Sequence, residues 1–378
     1  MNTTLNDLMR EATRLTQSGR LTEATAAIQQ ALRGGSHAST APTAGVRPEV
    51  SGLVLDGCVF EVDERRAAPA AFAGRPADVP ARDETAARGP GDQGSFISGS
   101  HTQSARTLRY KLFVPPCQAG KPLPLVVMLH GCTQNPDDFA VGTGMNALAH
   151  EQGFYVLYPE QAQDANPQRC WNWFKHNHQQ RGSGEPAVIA GMTQAVMKDH
   201  GIDPRRVYVV GLSAGGAMAA IVAGAYPEVF AAVGVHSGLP CGAASNVGEA
   251  LAAMKSGSAA PAKAGSPSAP PTIVFHGDAD RTVHPRNGEQ VVAAVMSRAG
   301  GAPLVEQGVS AQGQRYTRST WRDGQGKQLA EHWLLHGAGH AWSGGDAKGS
   351  YTDARGADAT SEMLRFFRAN PQAGGAAA

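Results

Sequence analysis

Val207-Tyr208-Val209-Val210-Gly211-Leu212-Ser213-Ala214-Gly215-Gly216-Ala217-Met218 is the stretch on which the reading of the whole chain turns. β-branched and aromatic residues predict a strand, a serine between glycines predicts a sharp turn, and the alanine-rich run to Ala225 predicts a helix. A serine on such a turn carries its hydroxyl outward at the end of a sheet. Glycines two positions to either side remove Cβ atoms that so tight a turn would crush. The helix start points free N–H groups at the same spot, where they favour negative charge. The alternative is a glycine-rich turn without chemistry, and the test is whether a base and an acid follow further along the chain.

Both follow. A strand expected at Ile273–Phe275 leads into His276-Gly277-Asp278-Ala279-Asp280-Arg281-Thr282-Val283. Asp280, further out on the loop, is placed to orient an imidazole, whereas Asp278 is read as bracing the turn. A strand expected at Leu329–Leu335 leads into Gly337-Ala338-Gly339-His340-Ala341-Trp342, which makes His340 the base and His332 and His336 packed or surface residues. The chain order Ser213, Asp280, His340 is that of α/β-hydrolases and excludes the orders of chymotrypsin and subtilisin. An oxyanion hole needs the N–H of Ala214 and a second from the loop His130-Gly131-Cys132-Thr133-Gln134, assigned to Cys132. The Cys132 thiol as nucleophile has no Cys–His arrangement to support it.

Further strands are expected at Phe96–Ser100, Thr107–Val114, Leu125–Leu129, Tyr155–Tyr158 and Ala232–Val235. Helices are expected at Met145–Gln152, Glu185–His200, Gly216–Ala225, Gly288–Arg298 and Asp358–Ala369. This alternation predicts an α/β fold: a mostly parallel, doubly wound sheet whose ligand site lies beyond the carboxyl ends of the strands. The catalytic domain is drawn at 95–370. Before it, Leu5, Leu8, Leu15, Leu21, Ile28 and Leu32 suggest a helical hairpin over 1–33, followed by a low-complexity linker over 34–94 that is expected to be disordered. Residues 371–378 read as a disordered tail, and Lys255–Pro271 as a loop within the domain.

Lys and Arg number 33 against 32 Asp and Glu, a net charge of +1, so no nucleic-acid partner is expected. No apolar run reaches the roughly 18 to 20 residues of a membrane span. Met1–Arg10 shows no signal-peptide pattern, so the expected location is cytoplasmic, with an extracellular one as the alternative. Five cysteines, scattered and without a Cys-x-x-Cys pair, exclude a disulfide framework. His176 and His178 lack companion ligands and read as a solvated loop, so neither metal nor cofactor is expected.

The motifs together resemble the esterases of the polyhydroxybutyrate (PHB) depolymerase type over about residues 95–370. The resemblance rests on His130–Gln134, Cys170-Trp171-Asn172-Trp173-Phe174, Gly211–Gly216, His236-Ser237-Gly238-Leu239-Pro240, His276–Val283 and His340-Ala341-Trp342-Ser343-Gly344-Gly345. It implies an α/β-hydrolase fold, a Ser213–Asp280–His340 triad, an oxyanion hole at Cys132 and Ala214, and an ester substrate with no cofactor. The family also holds feruloyl and acetylxylan esterases. Its secreted members carry a signal peptide and a C-terminal adsorption domain; neither is seen in this sequence, so amorphous polymer, soluble oligomers or small esters are the expected substrates. Trp171, Trp173 and Trp342 offer flat apolar surface for substrate or else pack in the core, with Trp342 foremost for the cleft because it lies two residues from His340. Cys132 and Cys170 either pair or stay as buried thiols, and thiols are the expected state in a reducing cytosol. Outside catalysis, the hairpin at 1–33 is either a docking element or a handle for a granule or protein partner.

Overall fold

A computed structural model describes residues 94–116, 120–259, 269–296 and 299–372. The hairpin expected at 1–33 and the linker up to residue 93 lie outside the described residues, as does the tail from residue 373.

Twelve strands and seven α-helices are described, and among the inner strands is β3 (Leu125–Leu129), buried at every position. A strand covered on both faces must be apolar throughout, which is why Leu-Val-Val-Met-Leu does not alternate with polar residues. Its side chains still alternate in direction: Leu125, Val127 and Leu129 enter one core cluster, Val126 and Met128 the other. Around it lie β1 (Ser95–Gln103), β2 (Arg106–Val114), β4 (Tyr155–Glu160), β5 (Val207–Leu212), β6 (Ala232–His236), β7 (Thr272–Gly277), β8 (Leu304–Val309), β9 (Arg315–Arg322) and β10 (Gln328–Leu335). They form one sheet in the order β1-β2-β4-β3-β5-β6-β7-β10-β9-β8. The six strands from β4 to β10 are parallel to their neighbours; β1–β2–β4 and β10–β9–β8 pair antiparallel. A short pair, β11 (Trp342–Ser343) and β12 (Thr352–Asp353), lies apart from this sheet.

Helices cover both faces. The first cluster takes apolar residues of α3 (Gly184–His200), α4 (Ala214–Ala225), α5 (Val247–Ser256) and α6 (Arg286–Ala293). The second takes those of α1 (Pro136–Thr143), α2 (Met145–Gln152) and α7 (Ala359–Ala369), where Phe367 stacks on Tyr208 at 4.7 Å. This is the doubly wound arrangement that the alternation predicts.

Besides the short β11–β12 pair and a 3-10 turn at His176–His178, four longer elements were not anticipated from the sequence. β8 and β9 form an antiparallel extension, and β8 has no buried residue to give it a period. α1 and α5 are short, and their starts are specified by caps: Asn135 accepts the Asp138 N–H, and Asn246 accepts the Glu249 N–H, each at 3.0 Å. Of the loop expected over Lys255–Pro271, Lys255 and Ser256 are helical, and residues 260–268 lie outside the described residues.

Candidate active site

Ser213 joins β5 to α4 with φ 56° and ψ −119°, a conformation costing a non-glycine residue about 1–3 kcal/mol. The neighbours hold it there: the Ser213 N–H donates to the His236 carbonyl at 2.8 Å, and the Ala217 N–H to the Ser213 carbonyl at 3.0 Å. A Cβ on Gly211 would lie 2.2 Å from the Gly215 carbonyl, and one on Gly215 would lie 2.0 Å from the Leu129 carbonyl oxygen. The second approach matters most. It lets the chain leaving β3 pass directly over the turn, bringing the Cys132 loop beside Ser213.

Ala214 is the first residue of α4, so its N–H has no carbonyl within the helix to satisfy it. In the β3 loop, the Gly131 N–H donates to Gln134 Oε1 at 2.9 Å and the Thr133 N–H to the Gln168 carbonyl at 2.6 Å. Cys132 sits between these two fixed points. Its sulfur is bonded to Cys170, which corrects the expectation of buried thiols. The pairing is possible because Thr133, at φ 64°, turns the loop toward the segment that carries Cys170.

A buried carboxylate that sequence reasoning passed over organises that segment. Glu185 accepts the Asn172 N–H at 2.7 Å, the Asn172 amide at 2.6 Å and the Gln161 amide at 2.7 Å, with His178 Nδ1 at 3.4 Å. Burial pushes this carboxyl up, but His178 and the amide donors outweigh it and hold Glu185 below its ordinary range. His178 is therefore buried against Glu185 and does not belong to a solvated loop. The one sequence signal for this cluster was Asn172, a polar residue between two tryptophans.

Asp280 and His340 are brought together from the ends of β7 and β10. His340 Nδ1 donates to Asp280 Oδ2 at 2.7 Å, while Asp280 Oδ1 accepts the N–H groups of Thr282 and Val283, each at 2.9 Å. His276 donates from Nε2 to the Val283 carbonyl at 2.8 Å and stands 3.5 Å from Asp280 Oδ2. Burial raises the Asp280 carboxyl, yet the hydrogen bonds and charges of His276 and His340 prevail and hold it well below the carboxylate range. An imidazole whose Nδ1–H is fixed on a carboxylate presents Nε2 as the basic atom.

His236 links the pieces. Its carbonyl holds Ser213, and its Nε2 accepts the N–H of Ser343, three residues beyond His340, at 3.0 Å. Burial first, then the charges of His276 and His340, push its pKa down to about 3, so it stays neutral and keeps that acceptor.

A family model described as esterase PHB depolymerase matches residues 108–317. The chain belongs to that family. The poly(3-hydroxyalkanoate) depolymerase C of Paucimonas lemoignei is 34% identical over 230 residues, which cover 57% of this chain and 54% of that protein. Acetylxylan esterase A of Talaromyces purpureogenus is 31% identical over 50% of this chain and 53% of its own length. The chain spans about half the length of these curated relatives. An acetyl xylan esterase structure from Aspergillus awamori aligns with TM-score 0.56 and 22% identity over 69% of this chain and 94% of that one, which establishes the shared α/β-hydrolase fold.

In this member of the PHB depolymerase family, Ser213, Ala214, Cys132 and Cys170 line a cavity of about 220 Å³. Trp173, Phe174, Leu239 and Val283 add apolar wall, and Asn166 and Gln168 a polar edge. Of the three tryptophans, only Trp173 lines it. Trp171 is buried with its indole N–H on the His130 carbonyl at 3.1 Å. Trp342 is buried against His236, ring centroids 5.1 Å apart, and donates to Thr360 at 3.0 Å. Both are core residues, because each indole N–H finds its acceptor inside the protein.

Proposed function

We propose that this chain is a serine carboxylesterase that hydrolyses short-chain 3-hydroxyalkanoate esters, oligomeric or amorphous, through an acyl-enzyme. His340 Nε2 takes the Ser213 Oγ proton as Oγ attacks the ester carbonyl carbon. The oxyanion develops against the N–H groups of Cys132 and Ala214. The C–O bond to the alcohol breaks, and His340 gives its proton to the leaving oxygen. Water, deprotonated by the same imidazole, then attacks the acyl carbon, and Ser213 leaves with its proton restored. Asp280 fixes the tautomer and steadies the imidazolium. One observation carries this reading: the buried 2.7 Å Asp280–His340 pair at the same end of the sheet as the strained Ser213 turn.

The test is product release from 3-hydroxybutyrate oligomers, amorphous polymer, acetylated xylan and feruloylated arabinoxylan, for wild type and Ser213→Ala. The expected result is 3-hydroxybutyrate from the first two, reduced by about 10⁴-fold or more in the variant. Hydrolysis that survives in Ser213→Ala would overturn the serine mechanism. An acetylxylan esterase is the second reading; the small cavity admits an acetyl group and related proteins bear that name. Acetate release without 3-hydroxybutyrate would decide for it. Ferulate release alone would point instead to a feruloyl esterase.

We also propose an oxidising, extracellular location, since a Cys132–Cys170 bond would not persist in a reducing cytosol. Of the five cysteines in the protein isolated from its source, at most three should then react as thiols on denaturation, and five would refute this. A granule or protein contact through residues 1–33 is a separate proposal, tested by deleting them and measuring granule binding and ester hydrolysis side by side.

A further inference from the structure

The cavity beside Ser213 is not closed. One wall is α5, whose Val247, Ala250, Leu251 and Met254 all line it. Spaced i, i+3, i+4 and i+7, these residues form a single stripe along the helix. Along the stripe burial changes: Ala250 is buried and Met254 half-buried, whereas Leu251 is 46% and Val247 57% exposed. An apolar surface therefore begins inside the cavity at the reacting serine and continues out into solvent without interruption.

The stripe is also fixed in place. At its start, Asn246 caps the helix, and Ser245 donates from N and Oγ to Glu249 Oε2 at 2.7 and 2.8 Å. At its end, the Met254 carbonyl accepts the His284 N–H at 2.8 Å, and the Ala253 carbonyl accepts the Asn287 amide at 2.9 Å. His284 lies on the loop that carries Asp280, so the helix is registered to the catalytic acid. A rigid apolar platform beside a site holds a chain in a way that a mobile one cannot.

We propose that the Val247–Leu251–Met254 face of α5 is the specificity-determining surface for the ester chain flanking the scissile bond, and that its occupant is an aliphatic oligoester with alkyl branches. Continuity with the cavity at Ser213 supports this occupant. The composition of the stripe favours an aliphatic chain over a glycan on this face: a glycan needs hydrogen-bond partners in return for desolvated hydroxyls, and these four side chains supply none. Alkyl branches spaced along a polyester backbone need only apolar area, and every repeat that reaches the stripe adds to it. This inference rests on the carboxylesterase reading and names the part of the molecule that selects the substrate.

The test compares wild type with Leu251→Asn and with Val247→Thr/Leu251→Asn, both exposed positions, on p-nitrophenyl acetate and on 3-hydroxybutyrate trimer and longer oligomers. Val309→Thr, an exposed apolar position on β8, is the control for general surface hydrophobicity. The ratio of kcat/KM on oligomer to kcat/KM on the acetate ester should fall at least about tenfold in the α5 variants. The fall should come mostly through KM and grow with oligomer length, with no change in Val309→Thr. An unchanged ratio in the α5 variants, with wild type active on oligomers, would overturn the inference alone. A wild type that cleaves the acetate ester but no oligomer would overturn the substrate reading and the inference with it. Melting temperatures within a few degrees of wild type exclude misfolding as the cause of a change in ratio.

Discussion

Two Asp–His pairs join the same two loops. Asp278 and His336 meet at 2.9 Å, Asp280 and His340 at 2.7 Å, each pair spanning from the end of β7 to the end of β10. Their settings differ. The first pair is 38% and 32% exposed, with Asp278 also holding the Gly337 N–H and His336 bonded to Thr317. The second is 0% and 8% exposed, and both oxygens of its carboxylate are committed. Water screens the outer pair, which staples two loops together. The inner pair keeps its charge in a medium where it can support a developing imidazolium. Residue type and distance are nearly the same, and what separates the two pairs is solvent.

The largest effect that tests this contrast is on catalysis. Asp280→Asn should lower kcat by about 10³- to 10⁴-fold with little change in KM, and the intact His336 should not rescue His340→Ala. Steady-state kinetics on a small chromogenic ester checks both; a loss below about tenfold for Asp280→Asn would break the contrast. Next is acid stability. Because Asp280 is depressed in the fold, its contribution is complete above the ordinary carboxylate range, about pH 4, and is lost as pH falls through its native value. Chemical denaturation from pH 6 to 2 should show an acid limb below about pH 4, flattened by Asp280→Asn far more than by Asp278→Asn.

A smaller effect comes from His332, buried on β10, whose Nε2 has no hydrogen-bond partner among the described residues. Burial and the charge of His276 push its pKa down to about 4. The unfolded chain binds this proton from about pH 6.5 downward and the folded one does not, so stability falls between those values. His332→Leu should reduce that slope by up to about 1.4 kcal/mol per pH unit while leaving kcat unchanged. The smallest effect is the outer pair itself. Asp278→Asn should change kcat by less than about threefold, and a double-mutant cycle with His336 should give less than about 1 kcal/mol.

Much of this was legible in the chain. β3 and α2 fall at the expected residues, and β5, β6, β7 and β10 within two at each end, because buried parallel strands are written as unbroken apolar runs. The distances beyond the strand end assign Asp280 to an imidazole and Asp278 to the turn; in the structure Asp280 meets His340, while Asp278 holds both the Gly337 N–H of the turn and a second imidazole, His336, which the chain order alone did not reveal. β8 was not legible, since an exposed edge strand carries no periodic signal. The burial of Trp342 could not be read from its nearness to His340. Its surroundings come from His236, Phe139 and Thr360, as much as 203 residues away along the chain.

The sequence by itself determined the strand–turn–helix around Ser213, the order of Ser213, Asp280 and His340 along the chain, and the parallel sheet that carries them. These depend on local periodicity and on which residues tolerate a tight turn, properties that neighbours in the chain encode. Tertiary structure alone decided that Cys132 bonds Cys170, that Glu185 holds the segment beneath the site, that Trp173 and not Trp342 lines the cavity, and that one Asp–His pair is dry and the other wet. Each of these is a matter of which distant side chain fills a space or keeps out water, and burial is conferred by residues brought together only when the chain folds.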